Sequence, residues 1–297
     1  MSIISLITPC YNGEKHLENY IRGLLSQTAK NVEYIFVNDG STDNTKNIIL
    51  SYEKDFLDKG WMFHYLEQEN CGQASAINKA LNIMSGDYFS CIDSDDILMP
   101  EYLEKMSNYL ENNLSVDMLF PVAEMVKEKT LEHICFKSRK IGKNVVDTLF
   151  EDMLLTHENL PIFASFMIRT KSFQLLNSSK QIYEGLSGQN PQLILPIAYN
   201  GKIHYIDDCL IKIVVRENSD SHSDLQNKIL NWEKLYCETL KCIPNMPAYE
   251  KAYYFKEIKA LWRNALLKQR KKDKYKQIHI RFLGIKFSFK ILKFREF

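Results

Sequence analysis

The stretch YFSCIDSDD, residues 88–96, joins a short apolar run to three carboxylates, Asp93, Asp95 and Asp96. The apolar part has the length of a buried strand, and Pro100 then opens a helix. Carboxylates at the end of an inner strand suit Mg²⁺ or Mn²⁺, which take oxygen ligands from one or two carboxylates and from phosphates. The alternative is a solvated loop that caps the helix, since aspartate is common in both places.

The chain around this stretch alternates strand patterns with helical patterns. Apolar runs of strand length occupy residues 3–7, 32–37 and 62–66, and each is followed by apolar residues at helical spacing. Such alternation predicts an α/β domain with a mostly parallel sheet and flanking helices. In that architecture ligands bind outside the carboxyl ends of the strands.

Polar clusters stand at each predicted strand end. Besides the aspartates, they are Thr8-Pro9-Cys10-Tyr11-Asn12, Asn38-Asp39-Gly40-Ser41 and Gln68-Glu69-Asn70-Cys71-Gly72-Gln73. The first turn has proline and tyrosine where a dinucleotide-binding fold needs glycines, which argues against a dehydrogenase.

In this order the segments TPCYN, VNDGSTDNT, QENCGQASAINKAL and GDYFSCIDSDDILMPEYL resemble family 2 glycosyltransferases of the GT-A fold. The resemblance is specific over residues 3–104 and fainter to about residue 223. It implies transfer of a sugar from a nucleotide diphosphate donor, usually with inversion, and a divalent cation held by a D-x-D motif.

The resemblance also implies roles for single residues. Asp95 is expected to bind Mn²⁺ or Mg²⁺, with His222 as a second metal contact, and Asp39 is expected to accept the imide N–H of uracil, which favours a UDP-sugar. The residues expected to bind the nucleotide sugar are Thr8, Pro9, Tyr11, Asn12, Asp39, Asn70, Gly72, Asn78, Asp93 and Ser94. Asp96 is expected to order the turn before Pro100.

The catalytic base is the weakest part of the resemblance. Inverting transfer needs a carboxylate to take the acceptor proton. The family usually supplies an acidic pair where this chain has Gln189-Asn190, and an amide is not a base near pH 7. Three explanations are open. Glu184 in the same loop is the preferred substitute, an acid from elsewhere reaches the site, or Gln189 and Asn190 orient the acceptor and the base is obtained differently. The other candidate acids are Glu124, Asp207 and Asp208.

Charge divides the chain unevenly. Residues 251–297 hold fifteen lysines and arginines and three acids, so the first 250 residues keep 23 bases and 34 acids. Residues 275–292 alternate apolar with polar or basic side chains, which predicts a hairpin. A basic amphipathic tail suits an anionic membrane surface, although packing on the body or a partner chain is the alternative. Nucleic acid is not expected, because the body is acidic.

We therefore predict a GT-A domain over residues 1–224, with a nucleotide-sugar half (1–115) and an acceptor half (116–224). A C-terminal helical segment with the basic tail follows over residues 225–297. With scattered cysteines, no signal peptide and no apolar run of about 18 residues, the expected location is cytoplasmic, peripheral on the inner face of the membrane. The predicted function is transfer of a hexose or N-acetylhexosamine from a UDP-sugar to a growing bacterial surface glycan, such as lipopolysaccharide or capsule, on a glycan or lipid-linked acceptor. The alternatives are an impaired nucleotide-sugar-binding protein and a sugar-phosphate nucleotidyltransferase.

Overall fold

The computed structural model describes residues 2–137, 148–156, 160, 165–185, 188–215, 225–282 and 285–292. Strands and helices alternate through the first hundred residues. The strands are β1 (Ile4–Cys10), β2 (Val32–Asp39), β3 (Met62–Gln68), β4 (Tyr88–Cys91), β5 (Ile97–Leu98), β6 (Met118–Lys127), β7 (His133–Lys137), β8 (Met167–Arg169), β9 (Ile203–Val215), β10 (Tyr275–Phe282) and β11 (Ile285–Leu292). The α-helices are α1 (Leu17–Leu25), α2 (Thr45–Ser51), α3 (Glu53–Asp58), α4 (Gln73–Leu81), α5 (Tyr102–Asn112), α6 (Leu149–Glu151), α7 (Thr170–Leu176), α8 (Gln189–Asn200), α9 (Leu225–Cys242) and α10 (Ala248–Lys274).

One nine-stranded sheet holds the body together, in the order β3-β2-β1-β4-β8-β6-β9-β5, with β7 pairing the outer part of β6. The pairs among β3, β2, β1 and β4 are parallel. Their carboxyl ends therefore meet at one edge of the sheet. The predicted α/β class with crossover helices is confirmed.

Helices cover both faces of this sheet. All seven residues of β1 and all eight of β2 are buried, as expected for inner parallel strands covered on both sides. Leu6 and Ile7, neighbours in β1, point to opposite faces, and each belongs to a different hydrophobic core. One core includes α1 and α5, and the other includes α4, α8 and α9. Because both faces are buried, the strands are held in place, and the positions of their carboxyl ends are therefore set.

The second half of the sheet is mixed. β8 is antiparallel to β4 and to β6, and β5, directly after the aspartates, is antiparallel to β9. Residues 203–215 form the single strand β9, which pairs with β6 in parallel through register shifts near Val122. At these irregularities the ladder is interrupted locally while both strands continue.

The two C-terminal helices, α9 and α10, pack against each other through aromatic rings. Trp232 and Trp262 stack with ring centroids 6.3 Å apart, and Tyr236 lies 6.2 Å from Trp262. β10 and β11 form the predicted antiparallel hairpin, with Ile280 opposite Phe287. Within the described residues, no helix is at once long and apolar enough to cross a bilayer.

Candidate functional site

Hydrogen bonds join the loops after β1 and β2. Asn12 adopts φ +51°, a left-handed conformation that asparagine tolerates better than most residues. Its Oδ1 accepts the Thr42 N–H at 2.8 Å, and its own N–H donates to Ser41 Oγ at 2.9 Å. The side chain of Asn12 is therefore used in bridging two loops.

Asp39 joins the loop after β2 to the loop after β3. Its Oδ1 accepts Gln68 Nε2 at 2.8 Å and the Cys71 N–H at 2.9 Å, and its Oδ2 accepts the Gly72 N–H at 2.9 Å. The residue is only 3% exposed. A carboxylate offers about four lone-pair positions, so one acceptor position on Oδ2 is left after these three bonds.

The backbones of the loops after β2 and β3 also approach each other closely, at Gly40 and Asn70. Gly40 has φ +73°, and a Cβ there would lie 2.6 Å from the Asn70 nitrogen. Only glycine allows both this conformation and this contact. Asn70 itself is exposed on the rim.

The aspartates complete the edge. Gln73, at the start of α4, donates from Nε2 to Asp93 Oδ1 at 2.6 Å, and Asp96 Oδ1 accepts the Val214 N–H near the end of β9 at 3.2 Å. The four strand ends are thus linked in sequence by hydrogen bonds. Gln73 lies in a cluster singled out from the sequence, but its partner was not predicted.

Asp93, Asp95 and Asp96 form a carboxylate cluster. One oxygen from each lies within 4.8 Å of the other two. Oxygen ligands at about 2.1 Å from Mg²⁺ stand roughly 3 to 4 Å apart, so this spacing and this all-oxygen donor set fit a hard divalent cation. Asp96 was predicted only to order the turn, and the structure adds its carboxylate to the cluster.

The residues after β1 divide between core and surface. Thr8 is fully buried and its Oγ1 lies 2.5 Å from the Tyr20 hydroxyl, so its side chain faces the core, and Pro9 is buried as well. Tyr11 is 50% exposed at the strand end. Burial raises the pKa of the Cys10 thiol to about 11, although a hydrogen bond with Ser94 opposes the rise. This contact ties β1 to the aspartate loop.

Glu184 lies beside the third strand end. Its Oε1 accepts Asn78 Nδ2 at 3.2 Å, and Asn78 projects from α4, the helix that begins after Gly72. A Cβ built on Gly72 would lie 3.9 Å from the Gly185 carbonyl oxygen. Glu184 is exposed, so its carboxylate is open to a ligand at this edge.

Two of the other three candidate acids, Glu124 and Asp208, have ionic partners. Glu124 contacts His133 Nδ1 at 3.0 Å and Lys212 Nζ at 3.4 Å, and the His133 hydrogen bond is the main cause that lowers its pKa. Asp208 pairs with Lys105 at 2.5 Å and lies six residues before Val214, about 20 Å along β9. Exposed Asp207 is its neighbour. Glu184, by contrast, contacts Asn78 on α4, the helix that follows the third strand end.

The remaining predicted site residues are Asn190 and His222. Asn190 is in the first turn of α8 and only 9% exposed, so little of its side chain reaches solvent. His222 lies outside the described residues.

Comparison with known proteins identifies the family. The profile described as glycosyl transferase family 2 matches residues 5–174, more than half of the chain. An uncharacterized glycosyltransferase of Rickettsia prowazekii is 37% identical over 147 residues, which are 49% of this chain and 44% of that protein. Glycosyltransferase GlyA of Streptococcus pneumoniae is 41% identical over 103 residues, 35% of this chain and 14% of that protein. The chain therefore spans less than half the length of these relatives.

Solved structures show the same fold. Residues 1–349 of TarS of S. aureus, in complex with UDP-GlcNAc, superimpose with a TM-score of 0.61 at 20% identity, covering 86% of this chain and 71% of that TarS chain. The mannosyltransferase PcManGT of Pyrobaculum calidifontis, in complex with GDP-Man and Mn²⁺, gives 0.56 at 13% identity, covering 90% of this chain and 75% of PcManGT. The predicted GT-A fold is confirmed, and the chain belongs to glycosyltransferase family 2.

Proposed function

We propose that this chain transfers a hexose or N-acetylhexosamine from a UDP-sugar to a growing bacterial surface glycan, such as lipopolysaccharide or capsule. The observation that carries the proposal is the linked set of four strand ends around the cluster of Asp93, Asp95 and Asp96. A sugar nucleotide has a base, a ribose and a diphosphate. This edge of the sheet offers a hydrogen-bond acceptor and an aromatic ring for the base, and a carboxylate cluster whose cation would meet the diphosphate.

Asp39 supports a uridine donor. Three N–H groups hold its carboxylate, and its remaining position on Oδ2 accepts hydrogen bonds only. The imide N–H of uracil matches that position, whereas the corresponding ring nitrogen of cytosine carries no hydrogen. Exposed Tyr11 offers a face on which the base can stack.

Asp93, Asp95 and Asp96 would hold the cation, and His222 is the further metal contact that the family resemblance implies. A bound Mg²⁺ or Mn²⁺ supplies positive charge to the diphosphate leaving group, which then needs no proton. The amide of Gln73 holds one oxygen of Asp93 at 2.6 Å, and the proposed ligand of the Asp93 carboxylate is the ribose or the metal.

Glu184 is the proposed base. In the reaction the acceptor oxygen forms a bond to the anomeric carbon, and the bond from that carbon to the diphosphate breaks with its electron pair on the diphosphate. Glu184 accepts the proton of the acceptor hydroxyl. Attack opposite the leaving group inverts the anomeric configuration and gives a β-linkage from an α-linked donor.

A thermal-shift screen tests the donor assignment. UDP and UDP-sugars with Mn²⁺ are expected to raise the melting temperature more than GDP- or dTDP-sugars do, because ligands of the native state stabilise it. A larger rise with GDP-sugars would overturn the uridine assignment. Equal shifts with and without Mn²⁺ would overturn the metal assignment.

The presence of Gln189-Asn190 in place of an acidic pair favours one alternative, a nucleotide-sugar-binding protein without turnover. The two functions differ in product formation. Tight UDP binding without release of UDP from any sugar nucleotide would support the binding protein.

We also infer that the C-terminal segment holds the enzyme on an anionic membrane surface. On α10, Lys256, Lys259 and Arg263 are exposed along one side, and Tyr249 and Tyr253 are 73% and 52% exposed. Cations and amphipathic aromatic rings are the side chains that interact with lipid headgroups. The same helix runs into the basic tail, where the net charge of residues 251–297 is +12.

Sedimentation with vesicles tests this inference. The protein is expected to sediment with phosphatidylcholine vesicles that contain phosphatidylglycerol and to remain in solution with phosphatidylcholine alone. Lys256→Glu with Lys259→Glu should reduce binding, whereas reversal of two exposed body lysines, Lys30→Glu with Lys54→Glu, should not. Equal binding to both kinds of vesicle would contradict the inference.

A further inference from the structure

Two buried amide side chains hold the segment that leads to Glu184. Asn78 is 5% exposed and Gln192 is 2% exposed, and they come from different helices, α4 and α8. Ile182 and Tyr183, the two residues before Glu184, lie between these helices. Neither amide was predicted to contact this segment.

Each amide pairs with one residue of the segment as a neighbouring strand would. Asn78 Oδ1 accepts the Ile182 N–H at 2.8 Å, and its Nδ2 donates to the Ile182 carbonyl at 2.8 Å. Gln192 Oε1 accepts the Tyr183 N–H at 2.6 Å, and its Nε2 donates to the Tyr183 carbonyl at 3.0 Å. Both backbone groups of both residues are thereby satisfied in a largely buried place.

Asn78 also reaches the carboxylate itself. Its Nδ2 lies 3.2 Å from Glu184 Oε1, so one side chain fixes both the backbone and the carboxylate. On the other side, Lys234 Nζ lies 5.2 Å from the centre of the Tyr183 ring. The segment is therefore held at several points, while Glu184 remains exposed.

We propose that Asn78 and Gln192 are positioning residues that hold Glu184 at the donor edge for its role in transfer. This rests on the proposed function, in which Glu184 is the base. Displacing a catalytic group by about 1 Å lowers rates up to a hundredfold. The amides fix a carboxylate that would otherwise sit on a mobile exposed side chain.

A double-mutant cycle on the full chain tests the proposal. Asn78→Ala is expected to lower kcat for transfer at least tenfold while leaving KM for the UDP-sugar unchanged. Combined with Glu184→Gln, it should add less than twofold to the loss caused by Glu184→Gln alone, because the group it positions is already gone. Gln192→Glu, which keeps the shape and loses the donor to Tyr183, should behave in the same way.

The outcomes separate two failures. Normal transfer by Glu184→Gln removes the proposed base and this proposal with it. A strong loss in Glu184→Gln together with an equal, additive loss from Asn78→Ala keeps the base and overturns the positioning role. A raised donor KM with unchanged kcat in Asn78→Ala would make Asn78 a donor contact instead.

Two further measurements guard the interpretation. Gln181→Ala is the matched control, because Gln181 lies in the same segment and its exposed amide donates to Asn82 Oδ1 at 3.1 Å. Transfer should be unchanged in this variant. If Asn78→Ala does not fold, Gln192→Glu in both backgrounds gives the same cycle and decides the proposal.

Discussion

The replacement Asp39→Asn tests how the second and third strand ends are joined. In the wild type, the two carboxylate oxygens of Asp39 accept hydrogen bonds from the N–H groups of Cys71 and Gly72. The asparagine amide keeps one of these oxygens and replaces the other with an NH₂ group, which is a donor. Whichever way the amide turns, at least one backbone N–H faces a donor. Because the residue is 3% exposed, water cannot easily replace the lost acceptor.

The structure sets the size of the effect. A hydrogen bond to a charged group contributes about 1.5–3 kcal/mol, and a buried unpaired donor costs about 1–3 kcal/mol. We expect the free energy of unfolding to fall by about 3 kcal/mol, which corresponds to a melting temperature lower by roughly 6–10 °C for a protein of this size. If Asp39 also accepts the base N–H, UDP affinity should fall about 10- to 100-fold.

Calorimetric titration of UDP and thermal unfolding measure the two effects separately. Asp117→Asn is the control, since Asp117 also accepts two hydrogen bonds, from Ser172 Oγ and the Lys202 N–H, but at the start of β6. It should lower stability and leave UDP affinity unchanged. UDP affinity within twofold of wild type in Asp39→Asn would refute the role of Asp39 in base binding.

Two further predictions concern the same loops and the contact between α8 and α9. Iodoacetamide should label exposed Cys71 at pH 8 and UDP should slow that labelling, whereas Cys10, buried and with its pKa raised to about 11, should stay unlabelled in mass spectra. Labelling of Cys71 that UDP does not slow would contradict its place at the donor edge. Gly188→Ala should lower the free energy of unfolding in urea by about 1–3 kcal/mol more than Gly60→Ala does. The two glycines have similar φ angles, +85° and +80°, but a Cβ at Gly188 would lie 2.7 Å from Leu235, whereas a Cβ at Gly60 would have no atom within 4 Å. Equal decreases in the free energy of unfolding for the two variants would show that the contact with Leu235 does not contribute to the destabilisation.

The fold class and the position of the carboxylates could be predicted because their signals are local. The alternation of apolar runs and helical spacing predicts a mostly parallel sheet with flanking helices, and the carboxylates follow β4 directly. Burial on both faces of β1 is also visible in the sequence, where apolar residues stand on both sides of Ser5 over residues 3–7.

The contacts that join distant segments could not be predicted. Asn78 bonds to Ile182, which is 104 residues away in the sequence, and Gln192 bonds to Tyr183, which is nine residues away. Neither residue type signals such a contact. Asp96 looked like a turn residue because its neighbours are turn residues, and only the fold brings Val214 to its side chain. Side-chain to backbone contacts of this kind depend on tertiary packing, which the spacing of residues along the sequence does not predict.

Release of UDP from a UDP-sugar, measured with and without Mn²⁺, tests the central claim most directly. The wild-type chain should hydrolyse its donor slowly in the presence of Mn²⁺, and Asp95→Ala should be slower by about 10² to 10³-fold, as for loss of a group that stabilises developing charge. Asp208→Ala, which removes an exposed acid paired with Lys105 away from the cluster, should match wild type. Equal UDP release from Asp95→Ala and wild type, or no release from any sugar nucleotide by a chain that binds UDP, would contradict the account.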